Sequence, residues 1–408
     1  MNNNFVVGLD VGTTRVSVLI GEVSDDKRVR VIGASAWSTE GIRKGTVVDI
    51  EKATASIRSA VDEAERMAGV EISGVCAGIS GPHIQSFLSH GVIAVPTSRR
   101  EVNRSDVERV TEAARSITLP ADRDIIHALP QDFLVDDQNG IKDPVGMSAM
   151  RLEAEVHIVT AMRMPLENQL KVIEKAGLDV INLVFSPLAT SRAVLTEEEK
   201  EMGCVLVDIG GGVTSYVLYQ AGCIRASGVV AAGGINVTSD LAIGLRVPTS
   251  IAEKVKIESG LAIASLAADD EIVTVPDASG RFSKEIRRGI IGAIMEPRYE
   301  EIFMMVKERI ASMPYYKMLG GGIILTGGAS MTEGVELVAE QVFDLPVRKA
   351  KPVELEGLSE VVSREDWSSS VGLLLEGVEN LEKSEHHRAS AIGLEGIFRG
   401  LKKIASFF

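Results

Sequence analysis

The chain has 408 residues, which is too long for one small hydrophobic core and predicts two or more domains. Apolar residues make up 45% of the chain and charged residues 25%, an ordinary globular composition. The net charge of −14, from 43 basic and 57 acidic side chains, excludes a general nucleic-acid binder, which would present a basic face.

Cysteine usage and the N-terminus indicate a reducing compartment and no membrane span. Cys76, Cys204 and Cys223 form no CxxC pair, so we expect small core residues rather than a disulfide framework or a zinc site. The N-terminus lacks the basic and apolar regions of a signal peptide, and no apolar run reaches the ~18 residues that span a bilayer. We therefore expect any membrane contact to be peripheral.

The first predicted unit is a buried strand, a Gly/Thr turn and a second strand of alternating polarity, in "FVVGLDVGTTRVSVLIGEV" (5–23). The segment "GCVLVDIGGGVTSYVLYQAG" (203–222) has the same design. The two segments align at Asp10 with Asp208, at Gly12 with Gly210 and at Ser17 with Ser215. The two units lie about 200 residues apart, which is too far for the repeat of a solenoid. The repeat instead predicts two related α/β halves that face each other.

Helices and strands alternate between these two units. Residues 49–70 predict an amphipathic helix with a turn at Gly69, and the strand "ISGVCAGIS" (72–80) follows. Residues 165–195 predict a helix, a glycine turn, a strand and a second helix. This alternation favours sheets with helices packed on their faces.

Residues 83–164 predict an inserted α/β unit. A capping box at Ser105–Glu108 predicts the start of a helix, and strands are predicted over 123–135 and 149–161. The turn-rich segment "DDQNGIKDP" (136–144) joins the two strands.

Three glycine-rich turns, "LDVGTT", "VDIGGGVT" and "ILTGGASMTEG", each follow a short apolar strand. Glycine lets backbone N–H groups approach anionic oxygens, so such turns can cradle phosphates. The residues predicted to contact a triphosphate are Gly12, Thr13, Thr14, Gly210, Gly211, Gly212 and Thr214, and those predicted to lie against a nucleoside are Gly327 and Gly328. Asp10 and Asp208, at the two strand ends, are candidates to hold Mg²⁺ through its water shell.

Each of these features alone has a plainer interpretation. A glycine turn after a strand is most often only a turn, and an aspartate at a strand end is more often a turn former than a metal ligand. The combination of three turns, two of them internal repeats, is more specific. The absence of a GxGxxG that opens a helix disfavours dinucleotide binding, and the absence of GxxxxGK[ST] excludes a Walker-type phosphate loop.

The three turns resemble the phosphate-1, phosphate-2 and adenosine motifs of the actin–Hsp70–sugar kinase superfamily, and within it the chain is similar to the FtsA family of bacterial cell-division proteins. The similarity runs along nearly the whole chain, including "GIRKGTVVDIE", "HALPQDF", "GGINVTSDLA", "IMEPRYEEIF" and "GIILTGGASMTEG". It implies an α/β, actin-like two-lobed ATPase fold with an inserted family-specific α/β subdomain and a C-terminal amphipathic helix. It also implies ATP and Mg²⁺ as ligands.

The resemblance also implies a division of the chain into subdomains. The implied boundaries are lobe I at 1–82, 165–195 and 345–375, the inserted subdomain at 83–164, lobe II at 196–228 and 306–344, its outer subdomain at 229–305, a linker at 376–391 and a membrane-targeting helix at 392–408.

Further nucleotide contacts are implied by resemblance. Gly233 and Gly234 of "GGINVTSD" form a turn near the nucleoside, and Glu253 and Lys256 flank the ribose and base. Outside that context, the last two residues would be an exposed i,i+3 ion pair worth a few tenths of a kcal/mol.

One departure from the superfamily concerns hydrolysis. Pro187 falls where actin-type ATPases place a water-orienting glutamine, and proline has no side-chain donor or acceptor. We therefore expect tight ATP binding with slow or negligible hydrolysis, and assign no catalytic residue beyond Asp10 and Asp208 as candidates acting through Mg²⁺ and water. The nucleotide would then govern domain closure and self-assembly.

The resemblance implies a docking surface in the second half for the C-terminal peptide of the tubulin-like division protein FtsZ. The matching stretch is "EPRYEEIFMMVKERI" (296–310), with Arg298 and Glu301 as candidate contacts. The plain alternative is a solvated helix with its charges outside and its apolar residues inside.

The C-terminal residues predict a linker and a membrane anchor. Residues 376–391 are polar without an apolar period and predict a flexible linker. In the tail, 392–408, apolar residues share one helical face and basic residues lie opposite or on its flanks, which indicates a helix in a membrane interface. The residues predicted to contact anionic lipid are Leu394, Ile397, Phe398, Arg399, Leu401, Lys402, Lys403, Ile404, Phe407 and Phe408. A terminal helix packed on the protein's own core is the alternative, which the polar linker and the basic face disfavour.

The function implied by the resemblance is to tether FtsZ filaments to the cytoplasmic face of the bacterial membrane at the division septum, as a peripheral protein that polymerises with ATP. The implied partners are the FtsZ C-terminal peptide, further copies of the chain, anionic lipids and downstream division proteins, and no nucleic acid is expected. Three rivals from the superfamily are a small-molecule kinase, a chaperone and a pilus-assembly homologue. A kinase would need a catalytic aspartate and a substrate pocket. A chaperone would need a substrate-binding domain after the ATPase region. A pilus-assembly protein would have no need of a tail that binds lipid.

Overall fold

The computed structural model describes residues 5–381 except residues 25, 27 and 278–282. The predicted tail at 392–408 and the linker residues 382–391 lie outside the described residues. The strands, in chain order, are β1 (Phe5–Val11), β2 (Arg15–Val23), β3 (Val29–Ser38), β4 (Ile42–Arg43), β5 (Thr46–Val47), β6 (Gly74–Ile79), β7 (Ile84–Ala94), β8 (Arg123–Val135), β9 (Gln138–Ile141), β10 (Arg151–Met162), β11 (Asp179–Phe185), β12 (Cys204–Ile209), β13 (Thr214–Gln220), β14 (Cys223–Val230), β15 (Ile272–Pro276), β16 (Ser283–Arg287), β17 (Gly322–Thr326), β18 (Val347–Lys349) and β19 (Glu356–Gly357). The α-helices are α1 (Ile50–Ala68), α2 (Arg104–Arg115), α3 (Arg163–Lys175), α4 (Ser186–Val194), α5 (Glu197–Met202), α6 (Gly234–Leu245), α7 (Thr249–Ser259), α8 (Arg288–Ile310), α9 (Val335–Phe343), α10 (Ser359–Val362) and α11 (368–381).

Two sheets form the centre of the molecule, and each contains one of the repeated hairpins. The strand order of the first sheet is β11-β6-β1-β2-β3-β19, and that of the second is β14-β13-β12-β17-β18. Helices α1 and α3 pack on the first sheet, and α8 and α9 pack on the second. Helices α4 and α11 lie between the sheets in a shared apolar core. The predicted alternation of strands with covering helices is confirmed.

Helix α1 shows how local residues set the bounds of an element. The Asp49 side chain accepts a hydrogen bond from the backbone of Lys52 at 3.1 Å and so caps the N-terminus. Gly69 ends the helix with φ of 70°, the left-handed conformation that glycine adopts without strain. The helix predicted over 49–70 is confirmed.

The inserted unit is a four-stranded sheet in the order β7-β10-β8-β9, with α2 packed on β7 and β10. The capping box predicted at Ser105–Glu108 is wrong. Asp106 N donates to the Asn103 side chain at 3.0 Å, and the Asp106 side chain accepts from Asn103 N at 3.1 Å, so the box lies two residues earlier. The predicted turn at 136–144 contains the short strand β9, because the hairpin from β8 continues to pair there.

The insert also contacts the second half of the molecule. Arg225 of β14, at the edge of the second sheet, pairs with Asp132 of β8 and Glu155 of β10. His157 Nε2 lies 2.9 Å from Ser227 Oγ across the same interface. Polar contacts thus join the insert to the half that follows it in the chain.

The linker predicted over 376–391 is wrong at its beginning, because residues 376–381 continue α11. Leu375, Val378 and Leu381 recur every three residues and pack against the core between the sheets. Arg192 of α4 pairs with two carboxylates on this end of the helix. A few apolar residues at helical spacing are enough to hold a polar segment when a core lies beside it.

Two further predictions concern the whole chain. The three cysteines are free and buried, which confirms their prediction as core residues. Among the described helices none is long and apolar enough to cross a membrane.

The buried histidines predict an acid-sensitive fold. Burial lowers the pKa of His83 and of His157 to about 4, below the ~6.5 of an exposed imidazole. The unfolded chain therefore binds these protons at a higher pH than the fold does, and the free energy of unfolding falls as the pH drops from about 6.5 towards 4. The glutamine of His157→Gln cannot be protonated. Over that pH range we therefore expect its free energy of unfolding to fall by about 2–3 kcal/mol less than that of the unaltered chain. Urea unfolding at pH 7 and pH 4 measures the loss.

The matched control is His90→Gln, because the His90 side chain is 69% exposed. This control should keep the acid response of the unaltered chain. Equal losses in His157→Gln and the unaltered chain would contradict the prediction.

Candidate functional site

The three predicted glycine turns meet at one cavity of about 580 Å³ between the two halves. This volume lies in the range of small-molecule sites. The wall is formed by the turns after β1, β12 and β17 together with α6 and α7. The predicted residues that line the cavity are Asp10, Gly12, Thr13, Thr14, Asp208, Gly210, Gly211, Gly212, Gly234, Glu253, Lys256, Gly327 and Gly328.

The turns of the two repeated hairpins are built alike. Asp10 pairs with Ser17 across the first hairpin, and Asp208 pairs with Ser215 across the second. In each turn the glycine two residues after the aspartate donates its N–H to a carbonyl three residues further on, at 3.0 Å in both cases. The internal repeat predicted from the sequence is therefore confirmed.

The two turns also contact each other, which limits the side chains they can carry. A Cβ on Gly212 would lie 2.4 Å from Thr13 Oγ1, and one on Gly211 would lie 2.4 Å from Thr14 Cγ2. Any side chain at either glycine would push the turns apart. Thr13 Oγ1 in addition accepts from Gly45 N at 2.9 Å, so the small β4–β5 hairpin also supports the first turn.

Thr214 and Gly233 do not line the cavity, which corrects their prediction as ligand contacts. Thr214 is buried, and its Oγ1 donates to Ala232 O at 2.9 Å. Gly233 lies behind the second turn, where a Cβ would approach Gly210 O to 2.6 Å. Both residues shape the second turn, because the sequence places them in the same loop but only the fold decides which way they face.

Asp10 and Asp208 are partly exposed to the cavity at corresponding strand ends. Burial and the charge of Asp208 raise the pKa of Asp10 to about 6. Burial also raises the pKa of Asp208, although the hydroxyls of Ser369 and Thr190, at 3.0 and 3.2 Å from its Oδ2, oppose the shift. Two like charges in one cavity favour a cation beside them.

The donor set is compatible with Mg²⁺ more than with a metal held by protein alone. Within the described residues, no group of three or more His, Cys, Asp or Glu side chains is placed to hold a metal ion. Mg²⁺ keeps several waters and commonly takes one or two carboxylates with phosphate oxygens. Asp10 and Asp208 meet that requirement.

Glu253 and Lys256 form more than a surface ion pair. Lys256 Nζ lies 2.7 Å from Glu253 Oε2, and it also donates to Gly234 O at 3.2 Å and to Thr238 Oγ1 at 2.8 Å. The Lys256 side chain is only 11% exposed. The pair ties α7 to the N-terminus of α6 at the cavity, with its lysine largely buried and the Glu253 side chain 40% exposed.

The third turn needs a glycine for two reasons. Gly327 has φ of 90°, and a Cβ there would lie 2.2 Å from Asp208 Oδ1. Its N–H donates to Glu365 O at 3.2 Å. The turn therefore makes room for the Asp208 carboxylate as well as for a ligand.

Segment 364–369 forms a further part of the cavity wall, which the sequence did not predict. Arg15 Nη1 lies 2.6 Å from Asp366 Oδ2, and its guanidinium lies over the Trp367 ring at 4.9 Å from the centroid. Arg364 lies 3.1 Å from the same carboxylate oxygen. The segment has no glycine and no repeat, and the only available signal was an arginine directly after the first turn.

Pro187 occupies the first turn of α4, where it is buried, while Ser186 beside it lines the cavity. The N–H groups of a first turn have no partner within the helix, so proline costs little there. The residue brings no donor or acceptor to the cavity.

Arg298 and Glu301 are not part of the cavity wall and lie on α8. Arg298 Nε lies 2.6 Å from Asp240 Oδ2 and its Nη2 3.1 Å from Asp240 Oδ1, so the arginine joins α8 to α6. It also pairs with Glu301. The buried apolar residues of the helix include Ile302, Phe303 and Val306.

Comparison with known proteins shows both sequence relatives and fold neighbours. Residues 81–160 match the family described as "SHS2 domain inserted in FTSA", and residues 205–372 match the family described as "Cell division protein FtsA". Cell division protein FtsA of Pseudomonas aeruginosa is 42% identical over 378 residues, which cover 93% of this chain and 90% of that protein.

Two solved structures share the fold at low sequence identity. The PilM–PilN type IV pilus biogenesis complex has a TM-score of 0.63 at 18% identity and covers 91% of this chain and 98% of its own. MreB5 of Spiroplasma citri bound to ADP has a TM-score of 0.54 at 14% identity, and the match covers 95% of this chain and 98% of the MreB5 chain. Together with the matched insert, they confirm the predicted α/β, actin-like two-lobed fold with an inserted α/β subdomain.

Burial, together with the charge of Asp208, predicts that ionised Asp10 destabilises the ligand-free fold. Its pKa of about 6 in the fold exceeds the usual 3.8, so the fold disfavours the ionised carboxylate. This cost develops as the pH rises above about 4 and is complete above about 6. We expect Asp10→Asn to raise the free energy of unfolding by about 1–3 kcal/mol at pH 7.5 and to change it little at pH 4. Urea unfolding at the two pH values is the measurement.

Asp62→Asn, on the exposed side of α1, serves as the control and should change stability little at either pH. The prediction fails if Asp10→Asn shifts stability by the same amount at pH 4 and pH 7.5.

Proposed function

The chain belongs to the FtsA family of cell division proteins, and on that basis we propose that it binds ATP and tethers FtsZ filaments to the cytoplasmic face of the bacterial membrane at the division septum. A role in cell division follows from the family itself. The observation that carries the nucleotide part of this proposal is the cavity at which three glycine turns and two carboxylates meet.

A nucleoside triphosphate matches the chemistry of this cavity. The first two turns bring glycine backbone to it from both halves. The N–H groups of Gly12 and Gly210 are bonded within their turns, so anionic oxygens would bind the other N–H groups of the turns. The proposed phosphate contacts are Gly12, Thr13, Thr14, Gly210, Gly211 and Gly212, and the proposed nucleoside contacts are Gly234, Glu253, Lys256, Gly327 and Gly328. The fold neighbour from Spiroplasma citri was solved with ADP, which supports a nucleotide here.

The charge of the wall favours Mg²⁺ as a second ligand. The acidic residues of the wall are Asp10, Asp208, Glu253, Glu258, Glu333, Glu365 and Asp366, and the basic ones are Arg15, Lys256, Arg288 and Arg364. A free triphosphate would be repelled by this acidic excess. Mg²⁺ would supply the missing positive charge, held by Asp10 and Asp208 through its water shell.

The proposed ATPase activity is slow or negligible. Pro187 carries no group that could orient an attacking water. The nucleotide would then act mainly on how the two halves close and on self-assembly into filaments.

The proposed membrane anchor is the tail 392–408, on the evidence of its sequence. Full burial of five large apolar side chains would contribute about 7–15 kcal/mol, which partial immersion and helix ordering reduce considerably. Each basic residue near anionic lipid adds about 1 kcal/mol. Such a reversible anchor strengthens sharply when a filament presents many tails together.

The proposed docking surface for the FtsZ C-terminal peptide lies where α8 meets α6. The side chains of Arg298 and Asp240 are each 27% exposed, and that of Glu301 is 50% exposed, so a peptide can reach this charged group. An acidic peptide group would compete with Asp240 for the arginine. Downstream division proteins are proposed as further partners without an assigned surface.

A small-molecule kinase is the enzymatic alternative from the same superfamily. It would need a base and a second substrate pocket, and no wall residue is assigned to either role. The likeness to the pilus complex, at 18% identity, concerns the fold alone. Identity of 42% with a cell division protein favours the division role.

The nucleotide proposal predicts Mg²⁺-dependent ATP binding through Asp208. We expect Asp208→Ala to weaken ATP binding in MgCl₂ by about tenfold or more, because a charged contact contributes roughly 1.5–3 kcal/mol. Calorimetric titration of ATP in MgCl₂ and in EDTA measures this. Asp62→Asn is the control and should bind as the unaltered chain does. Absence of ATP binding by the unaltered chain would refute the nucleotide proposal, and equal binding in EDTA would refute the role of Mg²⁺.

The tethering proposal predicts that the chain carries an FtsZ C-terminal peptide to liposomes containing anionic lipid. Co-pelleting of a labelled peptide should require both the tail 392–408 and the proposed docking surface. Deletion of 392–408 should leave protein and peptide in the supernatant. Arg298→Glu should pellet with the liposomes but leave the peptide behind, because it reverses the charge at the proposed docking surface.

Arg246→Glu, a charge reversal of the same kind at the C-terminal end of α6, is the matched control for Arg298→Glu. It should carry peptide as the unaltered chain does. Pelleting of the truncated protein to the full extent would remove the anchor, and peptide carried normally by Arg298→Glu would remove the docking surface.

A further inference from the structure

Three consecutive serines begin α11 at the place where the two sheets and the cavity meet. Each hydroxyl binds a group on a different element. The three contacts are Ser368 Oγ to Thr326 Oγ1 at 2.7 Å, Ser369 Oγ to Asp208 Oδ2 at 3.0 Å and Ser370 Oγ to Ser17 Oγ at 2.8 Å. The helix is thereby fastened to the second sheet, to the cavity aspartate and to the first sheet in turn.

The middle serine differs from its neighbours in exposure. Ser368 is 1% exposed and Ser370 is 0% exposed, and neither lines the cavity. Ser369 is partly exposed and lines it. A structural role accounts for the outer two serines, whereas Ser369 places a donor on a group that faces the ligand.

Two hydroxyls lie within hydrogen-bond distance of Asp208 Oδ2, and Ser369 is the nearer of the two. Thr190 Oγ1 lies 3.2 Å from Asp208 Oδ2, 2.9 Å from Ser369 Oγ and 3.0 Å from Ser186 O. Thr190 has one hydroxyl proton, and a threonine within a helix commonly gives it to the carbonyl four residues earlier. Ser369 is then the main donor to Oδ2, and Thr190 shares its proton between Oδ2 and the Ser186 carbonyl.

The other oxygen of the carboxylate has a different environment. Asp208 Oδ1 lies over Gly327, where a Cβ would come within 2.2 Å. One oxygen is therefore held by a hydroxyl from α11, and the other lies against the third glycine turn. The hydroxyl and the glycine turn therefore lie beside different oxygens of the carboxylate.

We infer that Ser369 is a positioning residue for Asp208, holding the carboxylate in the orientation in which it meets hydrated Mg²⁺ with ATP. This inference rests on the proposed nucleotide site. Removal of the hydroxyl leaves Oδ2 with only the longer contact to Thr190, so the carboxylate is held less firmly and the part of ATP affinity that depends on Mg²⁺ should fall. Ser368 and Ser370 bind the second and the first sheet, respectively. The position of the Ser369 hydroxyl therefore depends on both halves of the molecule.

The test compares Ser368→Ala, Ser369→Ala and Ser370→Ala, with ATP titrated in MgCl₂ and in EDTA and thermal unfolding followed in parallel. We expect Ser369→Ala to weaken ATP binding in MgCl₂ about tenfold, with no change in EDTA and little change in the unfolding temperature. Ser368→Ala and Ser370→Ala should lower the unfolding temperature and leave affinity within about twofold. Ser369→Thr, which keeps the hydroxyl, should restore the affinity.

The outcomes separate this inference from the proposed function. An unaltered chain that binds no ATP refutes the nucleotide site itself. If the unaltered chain binds ATP with Mg²⁺, the inference is overturned by unchanged affinity in Ser369→Ala, by equal losses in all three alanine variants, or by failure of Ser369→Thr to restore binding. If Ser369→Ala fails to fold, Ser369→Cys replaces it, because a thiol is a weak donor. This variant should show an intermediate loss of ATP affinity in MgCl₂ and no loss in EDTA. Full affinity of Ser369→Cys in MgCl₂ would overturn the inference.

Discussion

Two carboxylates of like charge, Asp10 and Asp208, face one cavity from the ends of two repeated hairpins, and much of the surrounding architecture follows from that placement. Within the first hairpin the charge of Arg15 offsets only part of the shift at Asp10. Burial and mutual repulsion raise the pKa of Asp10 to about 6. Such a pair is unfavourable in a ligand-free fold, and a cation is the simplest means of relieving it.

The groups that hold the cavity together come from distant parts of the chain. The contacts between the first two turns require glycines on one side and threonines on the other. Arg15 reaches segment 364–369, and the serines of α11 reach both sheets. The site is therefore formed by the closing of the two halves on each other, and separation of the halves would break it.

Between the halves, many of the specific contacts are single hydrogen bonds. Ser80 Oγ and Ser215 Oγ lie 2.9 Å apart across the cleft, and His157 of the insert binds Ser227 of β14 beside the two ion pairs of Arg225. A hydrogen bond contributes only about 0.5–1.5 kcal/mol net, so a small rotation can exchange such contacts at low cost. The apolar core around α4 and α11 is much costlier to separate than these polar contacts.

Local patterns in the sequence determined a large part of this structure. The alternation and glycines of 5–23 and 203–222 predicted two hairpins, their alignment predicted equivalent aspartates, and the periodicity of 49–70 predicted α1. These features depend on residues within one or two turns of chain, where polarity, glycine and capping side chains act directly. Only the tertiary structure decided that Thr214 faces inward, that α11 extends to residue 381, and that Arg15 binds Asp366, a residue 351 positions away. Such contacts are set by how the two halves pack, and no local pattern records which side chains will meet across that interface.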